Sequence, residues 1–345
     1  MEILILKLFT LVVIIIFLNK LCIKKSFLID KKGIIKHKFF VRDSNEIPFT
    51  LGIIFVLGIF LFFNINFHFI YFFTLIIFLI GISSDLKFLD SPKIRLFLQT
   101  LILIIYIFIF DVSISSIRID LFDNLLKYKF ISILFTVFCF LVLINGSNFI
   151  DGVNVSLIFY YLGILISIYF VSYNNSLNID FEFIKISILI LLLLLSFNFF
   201  GKSFMGDGGA YSLSFFVGSI LILFANENKI VSPYYVALLL WYPAYENLFS
   251  ILRKIFKRQK PTNPDNDHFH HLVYLGLKKI IIIKNINHNT LTGLIIGMYN
   301  SVIFYFSLVY FNHTKTLVLI IFFNIFLFTA LYLILRRNMF YKNKS

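Results

Sequence analysis

The sequence predicts an all-α polytopic membrane protein, and three observations support this. Of 345 residues, 60% are hydrophobic and only 14% are charged, whereas a soluble domain carries about 25% charged residues. The mean hydropathy is +0.93. The apolar residues fall into eleven runs separated by polar loops. Because backbone hydrogen bonds must be satisfied inside hydrocarbon, we expect these runs to be transmembrane helices.

The eleven spans are predicted in one integral-membrane domain, residues 1–345. The first is interpreted as a retained helix, because no small-residue cleavage site follows it. The second and third are short for a bilayer, so we expect tilting or local thinning there. The spans lie at about 3–20, 49–63, 67–83, 95–110, 130–145, 156–172, 184–199, 210–225, 232–250, 291–311 and 316–335.

The loops fall into two sets of very different charge. One set carries 24 of the 31 Lys and Arg residues and 10 of the 17 acids, and the other carries seven of each. Basic residues accumulate on the cytoplasmic side of a membrane. This predicts a multi-pass plasma (inner) membrane protein with its N-terminus outside and its C-terminus cytoplasmic. No basic domain stands free of the membrane, which argues against a nucleic-acid partner.

Four polar clusters lie in loops on the predicted cytoplasmic face, as a membrane-embedded active site would require. They are Ser84-Asp85, Asn145-x-x-Asn148-x-x-Asp151-Gly152, Phe204-Met-Gly-Asp207-Gly208 and Asp267-His268-Phe-His270-His271.

The second cluster continues to Asn154, so polar residues recur at every third position. On a helix this spacing forms one polar stripe. Polar groups at membrane depth are costly unless they face a partner or a watery cleft. We therefore interpret Asn145, Asn148 and Asp151 as binding a polar ligand, with a helix end in the headgroups as the alternative.

The third cluster surrounds Asp207 with glycines at a predicted helix start. Free N–H groups at such a position favour phosphate, and one carboxylate beside phosphates suits Mg²⁺. The alternative is that Asp207 only caps the helix.

Basic residues near Asp85 give a further phosphate-binding hypothesis. Lys93 and Arg95 open the next span and could hold a phosphate beside that carboxylate, or belong to a solvated loop. His37 and Lys38 could contact a lipid phosphate, although basic residues beside a membrane are commonly anchors.

The three histidines, His268, His270 and His271, leave two interpretations. The sequence His-x-His-His could bind zinc, but no further well-spaced ligand is visible. Contact between the imidazoles and phosphate oxygens is the favoured interpretation.

In their order along the chain, the four clusters resemble the motifs of the polyprenyl-phosphate N-acetylhexosamine-1-phosphate transferases, glycosyltransferase family 4. The stretch Trp241-Tyr-Pro-Ala-Tyr-Glu246 and the segment His37-Lys38…Pro48 are also similar to that family. The resemblance covers about residues 30–275. The His-x-His-His form looks like the branch that starts O-antigen, enterobacterial antigen and teichoic-acid synthesis.

The resemblance implies a reaction dependent on Mg²⁺, with Mn²⁺ as an alternative. A UDP-N-acetylhexosamine would donate sugar-1-phosphate to undecaprenyl phosphate in the lipid bilayer, at the cytoplasmic face, releasing UMP. A homodimer is also implied. By this resemblance Asp207 is the metal ligand and Asp85 an acid–base or lipid-phosphate-facing carboxylate. The resemblance also implies that Asn148 and Asp151 bind the nucleotide sugar. His268, His270 and His271 would contact its phosphates or its sugar.

The chain departs from the family pattern at two positions. Ser84 stands where the family has the first of two aspartates, and Val155 stands where it has glycine. An active enzyme with altered preference and a weakened scaffold are both compatible with these changes. A transporter or flippase of lipid-linked sugars is the other alternative, and would place its polar groups near mid-membrane.

Overall fold

The computed structural model describes residues 2–30, 46–62, 65–258, 267–281 and 287–341. Within these ranges the chain is helical apart from one short hairpin, β1 (Ile29–Asp30) with β2 (Ile47–Pro48). The helices are α1 (Glu2–Lys25), α2 (Leu51–Leu61), α3 (His68–Asp85), α4 (Pro92–Phe110), α5 (Asp120–Leu126), α6 (Lys129–Ile150), α7 (Ser156–Asn175), α8 (Phe181–Phe199), α9 (Gly206–Glu227), α10 (Pro233–Leu239), α11 (Trp241–Phe256), α12 (Phe269–Ile280), α13 (His288–Val309) and α14 (Thr314–Tyr341).

Nine helices in the described ranges are long and apolar enough to cross a membrane, which supports the polytopic membrane class. They are α1, α3, α4, α6, α7, α8, α9, α13 and α14. The other two predicted spans are not single long helices in the structure. The second is the 11-residue α2, about 17 Å long and short of a hydrocarbon core of about 30 Å. The ninth is divided into α10 and α11.

Helix α9 is the centre of the bundle. Of its most apolar 18-residue window, 83% is buried, against 11% for α1 and 22% for α14. Its first turns touch α3 so closely that a Cβ on Gly81 would lie 2.5 Å from the Gly208 Cα. The outer helices instead expose many large apolar side chains, as expected for surfaces that face lipid. The packing therefore fixes the start of α9 against the end of α3.

The predicted span 232–250 breaks at Leu240, because Pro243, in the first turn of α11, has no N–H to donate to the carbonyl of Leu239. The buried Tyr160 side chain compensates for the missing bond. Its hydroxyl donates to the Leu239 carbonyl at 2.7 Å and accepts from the Tyr242 N–H at 3.3 Å. The bundle can thus change helix direction here without leaving these backbone groups unbonded.

The segment before α9 is held by the N-terminal hairpin. The Phe204 N–H donates to the Pro48 carbonyl at 2.9 Å, and the Leu51 N–H donates to the Phe204 carbonyl at 3.1 Å. The Ser203 hydroxyl also donates to the Pro48 carbonyl, at 3.0 Å. These bonds fix the chain immediately before Asp207.

Removing the Tyr160 hydroxyl should destabilise the bundle. In Tyr160→Phe, a buried carbonyl and a buried N–H lose their partner, so we expect a loss of about 1–3 kcal/mol in the free energy of unfolding. Unfolding of the purified protein in detergent measures this. Tyr235→Phe is the matched control, because that buried hydroxyl bonds only another hydroxyl, Ser167, and should cost less. Equal losses in the two variants would contradict the role given to Tyr160.

Candidate active site

The N-terminus of α9 is bonded by a carboxylate from α3. The two oxygens of Asp85 accept the N–H groups of Asp207 and Gly208, each at 3.0 Å. Gly206 makes this approach possible, since its φ is +69° and a Cβ there would lie 2.7 Å from Asp85 Oδ2. The side chain predicted as a catalytic or lipid-facing carboxylate therefore also caps the helix that presents Asp207.

Ser84 and Arg95 surround the Asp207 carboxylate. The Ser84 hydroxyl donates to Asp207 Oδ2 at 2.8 Å and itself accepts a bond from Arg95 Nη1. The same guanidinium nitrogen lies 3.7 Å from Asp207 Oδ2. Asp207 is 20% exposed and Arg95 19%, so this charged group lies at the edge of the packed interior and open to a ligand.

Ser84 thus changes the character of the site relative to a pair of adjacent aspartates. It supplies a hydroxyl donor where the family pattern has an acid. The two acids that meet here, Asp85 and Asp207, come instead from different helices. Lys93 is exposed on the first turn of α4 and lies outside this group of contacts, so only Arg95 of the two predicted phosphate-binding cations reaches it.

The predicted polar stripe from Asn145 to Asn154 is wrong as a single helix face. Helix α6 ends at Ile150, so Asn154 lies beyond the helix. Asn145 donates to the buried Gln99 of α4 at 3.3 Å, which makes it an interhelical contact. Asn148 instead lies near the hydroxyl of Tyr211, one turn after Asp207 on α9. Of these two asparagines, only Asn148 is tied to the acidic group.

After Asp151, the C-cap of α6, the chain enters a loop held by amide side chains. The Asn154 N–H donates to Asn289 Oδ1 at 2.6 Å, and Asn154 Nδ2 donates to the Thr290 hydroxyl at 3.1 Å. Both partners belong to α13. These bonds fix the loop between α6 and α7 in one conformation.

Val155, the second departure from the family pattern, adopts φ +72°. A β-branched residue is a genuine outlier at positive φ. Its N–H donates to Asn198 Oδ1, and Asn198 in turn donates to the Ser203 carbonyl at 3.0 Å. The strained backbone is thus maintained by a bond to α8, at a position where glycine would adopt the same φ without strain.

A small polar pocket joins this loop to the segment before α9. Aromatic rings and amides surround it together with one carboxylate. The lining residues are Phe49, Asp151, Gly152, Val153, Asn154, Asn198, Phe204 and Asn289. Asn154 Oδ1 is buried and has no hydrogen-bond partner in the described part of the chain, so it is an acceptor that a ligand could use.

The histidine cluster packs against the same loop. The His270 ring lies so close to Gly152 that a Cβ there would be 1.9 Å from Nε2. The His268 ring stacks on His270 with 5.7 Å between centroids and lies 4.9 Å from the Phe149 ring. His271 is 4.2 Å from His270. The structure therefore brings the second and fourth sequence clusters together.

His37 and Lys38 lie outside the described residues. Within the described ranges, no three His, Cys, Asp or Glu side chains are placed to hold a metal as a set, so the zinc interpretation of the histidines gains no support.

Sequence reasoning missed several residues of the site. Tyr211 could have been found from its position one helical turn after Asp207. Glu246, a lone acid in an apolar run, could have been found from its cost in hydrocarbon. Gln99, Asn198 and Asn289 gave no local signal, because each acts on a distant part of the chain.

Gly152→Ala should reduce activity strongly. The new methyl group would displace the His270 ring, and a displacement of about 1 Å can cost about 100-fold in rate. The readout is turnover per folded protein in the assay described below. Gly276→Ala is the control on the same helix as His270, since a Cβ there meets only Leu335 at 3.5 Å. Full activity in Gly152→Ala would show that this close contact does not matter.

Comparison with known proteins agrees with the geometry. Residues 67–225 match the family model described as glycosyl transferase family 4. The match runs from α3 to α9 and includes Asp85, Asn148, Asp151 and Asp207, while the histidine cluster lies beyond it. A search of curated proteins found no match. This match over residues 67–225 confirms the resemblance of that part of the chain to the polyprenyl-phosphate sugar-1-phosphate transferases.

Proposed function

We propose that this family 4 transferase moves N-acetylhexosamine-1-phosphate from a UDP-sugar to undecaprenyl phosphate and releases UMP. One observation carries the proposal: the acids at the start of α9, the amide-bonded loop after α6 and the histidine cluster form one continuous polar region. Tyr211 and Asn148 connect its first two parts, and His270 over Gly152 connects the last two. The rest of the bundle is predominantly apolar.

The charge distribution along the sequence supports a location of this region at the cytoplasmic face of the plasma membrane. A nucleotide sugar is water-soluble, whereas the isoprenoid tail of the acceptor stays in hydrocarbon. Their phosphates can meet only where the bundle reaches the aqueous boundary. The ends of α3 and α6 and the start of α9 supply such a boundary, which supports a lipid-linked product as the start of a cell-surface polysaccharide.

The polar pocket has a volume of only about 10 Å³, so it cannot enclose the donor, but the groups around it could contact one. Phe49 and Phe204 offer aromatic faces of the kind on which bases stack, and Asn154 offers a buried acceptor. Asp151 lines the same pocket, close to the His270 ring over Gly152. We assign the nucleotide to the surface beside this pocket, and the sugar and its phosphates to the region between it and Asp207.

The acidic group fits Mg²⁺. This ion takes oxygen ligands, using one or two carboxylates together with substrate phosphates, and Asp207 with Asp85 supplies that number. Mn²⁺ accepts the same ligand type. Asp207 would hold the ion directly, and when bound, the ion would neutralise charge on the donor diphosphate.

The protein's own contribution to the transfer is positioning and charge stabilisation. An oxygen of the acceptor phosphate forms a bond to the sugar-bearing phosphorus. The bond from that phosphorus to the bridging oxygen breaks, and UMP leaves with the electron pair. Arg95 lies where it can bond a phosphate oxygen of either substrate. The Ser84 hydroxyl bonds both Asp207 and Arg95 and so fixes their positions relative to each other. By holding two N–H groups of α9, Asp85 orients Asp207 towards the substrates.

The proposed transfer is tested with the full chain in proteoliposomes supplied with undecaprenyl phosphate and a panel of UDP-N-acetylhexosamines. We expect UMP release and a lipid-linked sugar pyrophosphate detected by mass. Asp207→Asn should lower turnover about 1000-fold, because the carboxylate that would hold the charge-neutralising metal ion is lost. Asp90→Asn makes the same charge change at an exposed position nearby and should retain activity. Normal turnover in folded Asp207→Asn would remove Asp207 from the mechanism.

Removal of divalent metal should abolish turnover reversibly. With EDTA in excess we expect no UMP release, and added Mg²⁺ or Mn²⁺ should restore it, because the carboxylates and phosphates would otherwise repel each other. Addition of Zn²⁺ alone should not restore activity. Full turnover in the presence of EDTA would overturn the metal assignment while leaving the transfer reaction itself measurable.

A further inference from the structure

Glu246 is a buried acid that has no role in the transfer proposed above. It lies on α11 with 0% of its surface exposed. An ionised carboxylate in such a place is costly unless hydrogen bonds compensate for the lost water. Its bonds therefore indicate what it does.

Both bonds to Glu246 come from the start of α12. Oε1 lies 2.8 Å from His268 Nδ1 and accepts from the Phe269 N–H at 3.3 Å. Because the same oxygen already accepts the Phe269 N–H, we assign Oε1 as the acceptor of both contacts and the proton of the histidine contact to Nδ1. Such a bond fixes both the tautomer and the ring orientation of a histidine. It leaves Nε2 as the ring nitrogen available to a substrate.

The neighbours of His268 indicate which part of the site this nitrogen borders. The ring lies against Phe149, one residue after Asn148, and stacks on His270, which covers Gly152. This is the loop that borders the polar pocket. The nitrogen opposite Glu246 is therefore placed beside the region assigned to the sugar and phosphates of the donor.

We propose, on the basis of the transferase function above, that Glu246 is a positioning residue that acts through His268. It holds Nδ1–H so that Nε2 meets the sugar-phosphate part of the nucleotide donor. The break at Leu240 makes this possible, because it separates α11 from α10 six residues before Glu246.

A purely structural role is the competing explanation, since the same oxygen accepts the Phe269 N–H and so caps α12. The two explanations differ in one respect. A positioning residue has no effect on turnover once His268 is gone, whereas a cap continues to matter. A double-mutant cycle separates these cases.

The cycle compares Glu246→Leu, His268→Ala and the double variant, with kcat and the donor KM measured per folded protein. We expect each single change to lower kcat about 100-fold and the double variant to be no worse than His268→Ala. Glu246→Gln keeps an oxygen acceptor and should recover most of the loss. If Glu246→Leu does not fold, Glu246→Asp, which withdraws the carboxylate by one methylene, replaces it in the cycle.

Asn300→Leu is the matched control. It removes another buried side chain that bonds α11, through Trp241 Nε1 at 3.0 Å, but it does not touch His268. Its effect on kcat should stay within about twofold and should add independently to that of His268→Ala.

Two results would overturn the proposal: unchanged kcat in folded Glu246→Leu, or an equal loss with and without His268. An inactive wild-type chain would overturn the transferase function itself and this role with it. Active wild type with unaffected variants would overturn only the role of Glu246.

Discussion

The N–H groups at the start of α9 need hydrogen-bond partners inside an apolar bundle, and the Asp85 carboxylate supplies two of these bonds. Because Asp85 ends α3, this bond fixes one helix end against another. The close contact between Gly81 and Gly208 brings the two helices within reach. The position of Asp207, and with it the proposed metal and phosphate site, depends on this arrangement. A carboxylate at a helix N-terminus is also favoured by the helix dipole.

The same requirement shapes the other irregular parts of the backbone. Tyr160 bonds the groups freed by the helix break at Leu240, and Asn198 and Asn289 bond the loop after α6. In each case a side chain from a distant segment forms a hydrogen bond with a backbone group that has no partner in its own helix. Such bonds also make the loops rigid, which a site that positions two phosphorylated substrates requires. The contacts that satisfy the backbone hydrogen-bonding groups therefore also serve the proposed function.

The departures from the family pattern have local physical explanations. Ser84 keeps a hydrogen bond to Asp207 where an acid would add like charge, so Arg95 is shared between a hydroxyl and one carboxylate. Val155 keeps a positive φ that suits glycine, with its N–H bonded to Asn198. Both residues border the region assigned to the donor. They are accordingly positions at which we expect this chain to differ in substrate preference from proteins that keep the family pattern.

The sequence by itself determined the membrane class, most of the spans and the four clusters, because hydropathy and local motifs are written in consecutive residues. Only the tertiary structure decided that Asn145 faces Gln99 while Asn148 faces Tyr211, since helix rotation depends on the packing of neighbours. It also decided that the span from 232 to 250 breaks, because a proline-broken helix depends on a distant hydroxyl to satisfy its carbonyl. The pairing of Glu246 with His268 likewise joins residues 22 positions apart. No local pattern encodes it, because burial and hydrogen bonding between separate helices are set when the chain folds.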